Sequence, residues 1–181
     1  MNRKVKKNTY LNNIVTIAMC TACIVVSSWL SIPFSVNFTL QLLAIFIISD
    51  VFDLRISISS VALYIAIGLC GLPVFSGFGA GFSCLLGPSG GYIVGFLLVP
   101  IIIHLIRIIF NHTFISLLVS NFLALIACYA LGTLWYAFFY VNNASTSLIA
   151  ILSVCVFPFI AVDFIKIIIA SIISLRLKKY F

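Results

Sequence analysis

Residues 91–106 read GYIVGFLLVPIIIHLI, a run without a single Lys, Arg, Asp or Glu. A strand of a membrane barrel would alternate polar and apolar positions over roughly ten residues. This run does not alternate. Extended to Phe110, it reaches the roughly 20 residues that a helix needs to cross about 30 Å of hydrocarbon. The rest of the chain repeats the pattern: of 181 residues, 64% are hydrophobic and 7% charged, and the mean hydropathy is +1.33. Soluble domains carry roughly 25% charged residues, so a soluble domain is excluded. A disordered chain, which would be polar and charge-rich, is excluded as well. The reading is an all-α polytopic membrane protein of one domain, residues 1–181.

Working outward from that run, Gly91–Phe110 is the fourth of six predicted spans. The others are Asn13–Leu30, Thr39–Val51 (short, hence tilted or partly broken), Ile56–Leu72, Phe114–Tyr140 and Leu148–Leu175. Between the third and fourth lies a structured outer loop, Pro73–Gly90, stiffened by Pro73 and Pro88 and interrupted by Gly77, Gly79, Gly81, Gly87 and Gly90, with Gly91 following. The basic N-terminus followed by an apolar stretch resembles a secretory signal. It shows no clear A-x-A site and runs on to Leu30, so it reads as a retained first helix.

Charge placement sets the orientation. With both termini cytoplasmic, nine of the ten basic residues lie inside: Arg3, Lys4, Lys6, Lys7, Arg55, Arg107, Arg176, Lys178 and Lys179. The outer connections Ser31–Phe38, Pro73–Gly90 and Val141–Ser147 contain none, as the positive-inside rule asks. The basic tails, about 1–9 and 176–181, point to membrane lipid and not to nucleic acid. Asp50 and Asp53 sit near Arg55 at an inner turn, where a solvated local pairing accounts for them.

Lys166 is the tenth basic residue, about ten residues or 15 Å before the inner boundary at Arg176, near mid-bilayer. Asp163 precedes it by three positions and shares its helix face. A charge at that depth costs at least about 2.5–3.5 kcal/mol and ordinarily marks a ligand or ion path. The structural alternative is an ion pair that only fixes helix packing. Such a pair is replaceable by apolar side chains at little cost, which favours function. Asp163 can accept N–H bonds. Lys166 can orient Asp163 or neutralise an acid, and the sequence leaves both roles open. Gln41, at the start of span two, can add an amide or serve only as a helix–helix hydrogen bond.

Other motifs are weaker. Cys20 and Cys23 form a C-x-x-C, but apolar flanks and the lack of a second pair or nearby His make them small helix residues. His104 and His112 are isolated, so no metal site is expected. The Gly77-x-Gly79-x-Gly81 spelling follows no strand, and no GxxxxGK[ST] occurs, so the chain has no P-loop of its own. Val74, Phe75, Phe78 and Phe82, interleaved with the glycines, suit a lid over a ligand. An enzyme would need a nucleophile–base pair or metal set that the spans lack. Ala18 and Ala22 form a small-xxx-small pair that permits close helix contact.

Taken in order, these motifs resemble the BioY family, the biotin-specific S components of energy-coupling factor (ECF) transporters. The resemblance rests on Gly71-Leu72-Pro73-Val74-Phe75-Ser76-Gly77, on Leu86-Gly87-Pro88-Ser89-Gly90-Gly91-Tyr92 and on Gly95-Phe96. Ile32-Pro33, Thr39-Leu40-Gln41, Gly132-Thr133-Leu134-Trp135, Pro158-Phe159 and Asp163-x-x-Lys166 support it, from about residue 14 to 175. It implies a six-helix protein of the bacterial cell membrane that captures biotin from outside, with no cofactor. It further implies a transmembrane coupling protein and two ABC ATPases as partners, with Ala18 and Ala22 docking on the coupling protein. By the same resemblance Asp163 and Lys166 are binding residues, joined by Tyr92, Ser89, Gln41, Ser76 and Gly77. A stand-alone carrier for biotin or another small acid is the alternative. Two departures stand out: Phe78-Gly79 where some members carry a ligand-contacting Asn, and Ala161-Val162 in place of Pro-Gly.

Overall fold

The computed structural model describes residues 2–32, 38–110, 113–140 and 156–178. Its elements are helices α1 (Asn2–Trp29), α2 (Gln41–Val51), α3 (Leu54–Leu69), α4 (Phe82–Leu85), α5 (Gly90–Gly95), α6 (Leu98–Ile109), α7 (Phe114–Tyr140) and α8 (Phe157–Leu177). Two short strands, β1 (Ser31–Ile32) and β2 (Phe38–Thr39), pair antiparallel, Ser31 opposite Thr39. The chain is helical, as the unalternating apolar runs require. Three stretches, Tyr10–Trp29, Gly90–Ile109 and Phe114–Phe139, are long and apolar enough to cross a membrane. Their outward residues suit lipid: Ile108 and Phe138 are 81% and 82% exposed, which in water would be an aggregation liability.

The first helix starts at Asn2, so the basic segment 2–9 continues the helix and is not a separate tail. The predicted fourth span is interrupted at Phe96-Leu97, between α5 and α6. Pro100 explains this, because it lacks the N–H that would bond the Phe96 carbonyl. Phe96 and Leu97 keep helical dihedrals, so the chain still runs on in one direction.

Helix α1 packs on α2 and α3, α2 on α6 and α8, and α7 on α5, α6 and α8. Ile24, Ile45, Phe46, Val61, Val99, Ile103 and Ala170 are buried at their junctions. The glycine-rich loop is ordered by contacts with α1 and α3. Trp29 Nε1 donates to the Pro73 carbonyl at 2.9 Å, and the Trp29 and Phe78 rings lie 5.4 Å apart. Phe75 is buried edge-on to Tyr64 at 5.5 Å. Gly81, at φ +78°, turns the chain into α4 through a conformation that a side chain would oppose.

Candidate ligand-binding site

Helix α8 carries the buried pair. Lys166 Nζ lies 2.6 Å from Asp163 Oδ1, and the two residues are 4% and 5% exposed. The i, i+3 spacing turns both toward the bundle, where two other elements meet them. Lys166 Nζ also donates to the Thr39 carbonyl at 2.7 Å, and Tyr129 on α7 donates its hydroxyl to Asp163 Oδ2. The β1–β2 pairing holds that Thr39 carbonyl in place, one residue after Phe38 meets Ile32. Two donors on opposite oxygens fix the plane of the carboxylate. About two of its four lone-pair sites stay available to further N–H groups.

Around this centre the polar groups are buried. Gln41 opens α2 two residues after Thr39 and is 3% exposed, with Nε2 unbonded among the described residues. Tyr64 Oη lies beside it. Tyr92 is buried against α7, its hydroxyl 3.4 Å from Thr133 Oγ1, its ring edge-on to Tyr129 at 6.4 Å and 81°. Trp135 Nε1, two residues after Thr133 on α7, is buried without a partner among the described residues. An apolar groove of about 570 Å³ between α7 and α8 reaches Tyr129 and is lined further by Leu125, Ile126, Thr133, Ile160 and Phe164 among others.

The sequence profile of the BioY family matches residues 1–181. The chain belongs to the BioY family. It is 37% identical over 170 residues to the biotin transporter BioY of Thermotoga maritima, covering 93% of this chain and 97% of that one. It is 35% identical over 178 residues to the biotin transporter BioY2 of Lactococcus lactis, covering 96% and 93%. Among solved structures it resembles the S-component for biotin from an ECF-type ABC transporter, with TM-score 0.82, 28% identity, and coverage of 99% and 95%.

Within this BioY fold, the sequence-predicted residues divide into groups. Asp163, Lys166 and the Gln41 end of α2 converge, and Tyr92 joins them through Tyr129. Ser89 is half-buried at the start of α5, where its carbonyl accepts the Tyr92 and Ile93 amides. Ser76 and Gly77 lie in a short 3-10 turn, Ser76–Phe78, beside Trp29. Ala18 and Ala22 are exposed on one side of α1 while Cys20, Thr21 and Ile24 are buried. Pro33, His112, the outer connection Val141–Ser147 and the beginning of span six at Leu148 lie outside the described residues.

Sequence reasoning missed Tyr129 and the Thr39 carbonyl. A polar hydroxyl inside an otherwise apolar span, three residues before Gly132-Thr133, was the signal for the first. A main-chain acceptor leaves no such signal. The pairing of Asp50 with Arg55 is corrected. Asp50 is fully buried and accepts from Asn121 Nδ2 on α7 at 3.0 Å, because α2 continues through Val51 and turns Asp50 inward. Of the three charged residues near the turn, Asp53 and Arg55 lie exposed.

Proposed function

We propose that this chain takes up biotin as the membrane-embedded, ligand-capturing subunit of an ECF complex, and that the Asp163–Lys166 pair is its ligand site. The observation that carries the site is the buried carboxylate held by Tyr129 and Lys166 near the Gln41 end of α2, with an apolar groove that reaches Tyr129. Biotin combines a ureido group bearing two N–H donors with an apolar bicycle and a carboxylate tail. Asp163 accepts one of the ureido N–H groups at a remaining lone pair. Lys166, held by Asp163 and Thr39, orients the carboxylate and offsets its charge. Leu125, Ile126 and Ile160 supply apolar contact for the bicycle.

Six spans with both termini cytoplasmic, in the bacterial plasma membrane, complete the reading, and the distribution of basic residues supports that orientation. The chain carries no P-loop, so hydrolysis falls to two ABC ATPases reached through a coupling protein, with Ala18 and Ala22 at the contact. Membrane lipid surrounds the rest, and no cofactor takes part. Uptake of radiolabelled biotin into proteoliposomes tests this reading. Accumulation that needs the coupling protein, the ATPases and ATP supports it. Equal accumulation by the chain alone would make it a stand-alone carrier.

A further inference from the structure

The glycine-rich block Gly87–Tyr92 and the charged pair on α8 belong to distant parts of the sequence, yet two aromatic rings connect them. We infer that Tyr129 is a positioning residue for the ligand and that Tyr92 acts through it, the pair forming a relay from α5 across α7 to the Asp163 carboxylate. The inference deepens the proposed function and rests on the reading of Asp163 as the ligand-accepting group.

Three contacts make the relay. Tyr129 donates its hydroxyl to Asp163 Oδ2 while Lys166 holds Oδ1, so the two oxygens are fixed from different helices. The Tyr92 ring stands edge-on to Tyr129 at 6.4 Å and 81°, within the range where an aromatic pair gains from its quadrupoles. Tyr92 in turn has a fixed seat on α7. A Cβ at Gly132 would lie 2.4 Å from its ring carbons, so only glycine lets the ring settle there, and its hydroxyl meets Thr133 at 3.4 Å.

The consequence concerns which way the carboxylate faces. Without the Tyr129 hydroxyl, Asp163 keeps one tether and can rotate about its terminal bond, which is broad and lacks a single preferred angle. A ureido N–H bonds the carboxylate well only when the accepting lone pair keeps a fixed direction. Tyr92 therefore serves the site by wedging Tyr129, not by offering its own hydroxyl to the ligand.

Calorimetric titration of the purified full-length chain with biotin decides it. Tyr129→Phe, which removes one oxygen, is expected to weaken binding about tenfold, and Tyr92→Leu to do the same, in the range of one lost hydrogen bond to a charged group. Tyr92→Phe, which keeps the ring, recovers most of that loss. Because both residues act on one carboxylate, the double variant Tyr92→Leu/Tyr129→Phe stays near tenfold. Unchanged affinity in Tyr129→Phe, or losses that multiply to about a hundredfold, would overturn the relay. If the wild-type chain does not bind biotin, the ligand reading fails on its own. The relay is then decided by thermal unfolding of the ligand-free chain with Tyr129→Phe and Asp163→Asn. Shifts that fail to add support it, and shifts that add overturn it.

Discussion

Asn121 and Asp50, from the middle of α7 and the last turn of α2, meet with both side chains fully buried, Nδ2 to Oδ2 at 3.0 Å. Ser171 on α8 receives the same amide at 3.4 Å. Three helices are thus joined at a polar node further along α8 than the Asp163–Lys166 centre. Arg107 on α6 and Lys178 after α8 lie close enough to offset the carboxylate electrostatically. Just before its N-terminal end, α2 is held to α8 through Thr39, and its C-terminal end is tied to α7 through Asp50.

Removing that node should destabilise the fold. Asp50→Ala leaves the buried Asn121 amide only its longer bond to Ser171, and hydrogen bonds to charged groups contribute about 1.5–3 kcal/mol. Asp50→Asn keeps an acceptor and should cost less than half as much. Thermal unfolding in detergent reads the difference; equal melting of wild type and Asp50→Ala would show that the node contributes nothing.

The charged pair predicts an asymmetry. Lys166→Met leaves Asp163 as an uncompensated buried charge and should cost about 3–5 kcal/mol. The double variant Asp163→Asn/Lys166→Met removes the charge altogether and should recover much of that stability while binding no biotin. Melting temperatures of the three variants check this. A double variant less stable than Lys166→Met would contradict it.

Gly132→Ala tests the close approach of α5 to α7. Its Cβ would sit 2.4 Å from the Tyr92 ring, and overpacking of this kind costs about 1–3 kcal/mol. The same shift should weaken biotin binding through Tyr129. Ser83→Ala, on the exposed side of α4, should leave the Tyr92 ring undisturbed. The expected ranking, by melting and by titration, puts the Gly132 variant lower on both scales.

On α1, Ala22→Leu places a larger side chain on an exposed face. Melting temperature and biotin affinity should stay as in the wild type, while co-purification with the coupling protein and ATPases falls. Intact co-purification would move the docking face elsewhere on the chain.

The helical, membrane-spanning character was legible because hydrocarbon thickness sets the length of an apolar run. Asp163 and Lys166 stood out within such a run, being charges that topology does not need. Asp50 was misread because a carboxylate two residues from a turn looks solvated in sequence, whereas one further helical residue, Val51, carries it inward. Tyr129 was passed over because a tyrosine in an apolar span reads as packing, and its role depends on which helix faces it. The break at Phe96-Leu97 could have been foreseen from Pro100. The Thr39 carbonyl could not, since every residue carries one.

Isothermal titration of purified wild-type and Asp163→Asn protein with biotin, with riboflavin and thiamine as controls, tests the central claim most directly. The account predicts saturable binding of biotin alone by the wild type and its loss in Asp163→Asn, with the variant still folded. Biotin binding of equal strength in both proteins, or none in either, would contradict it.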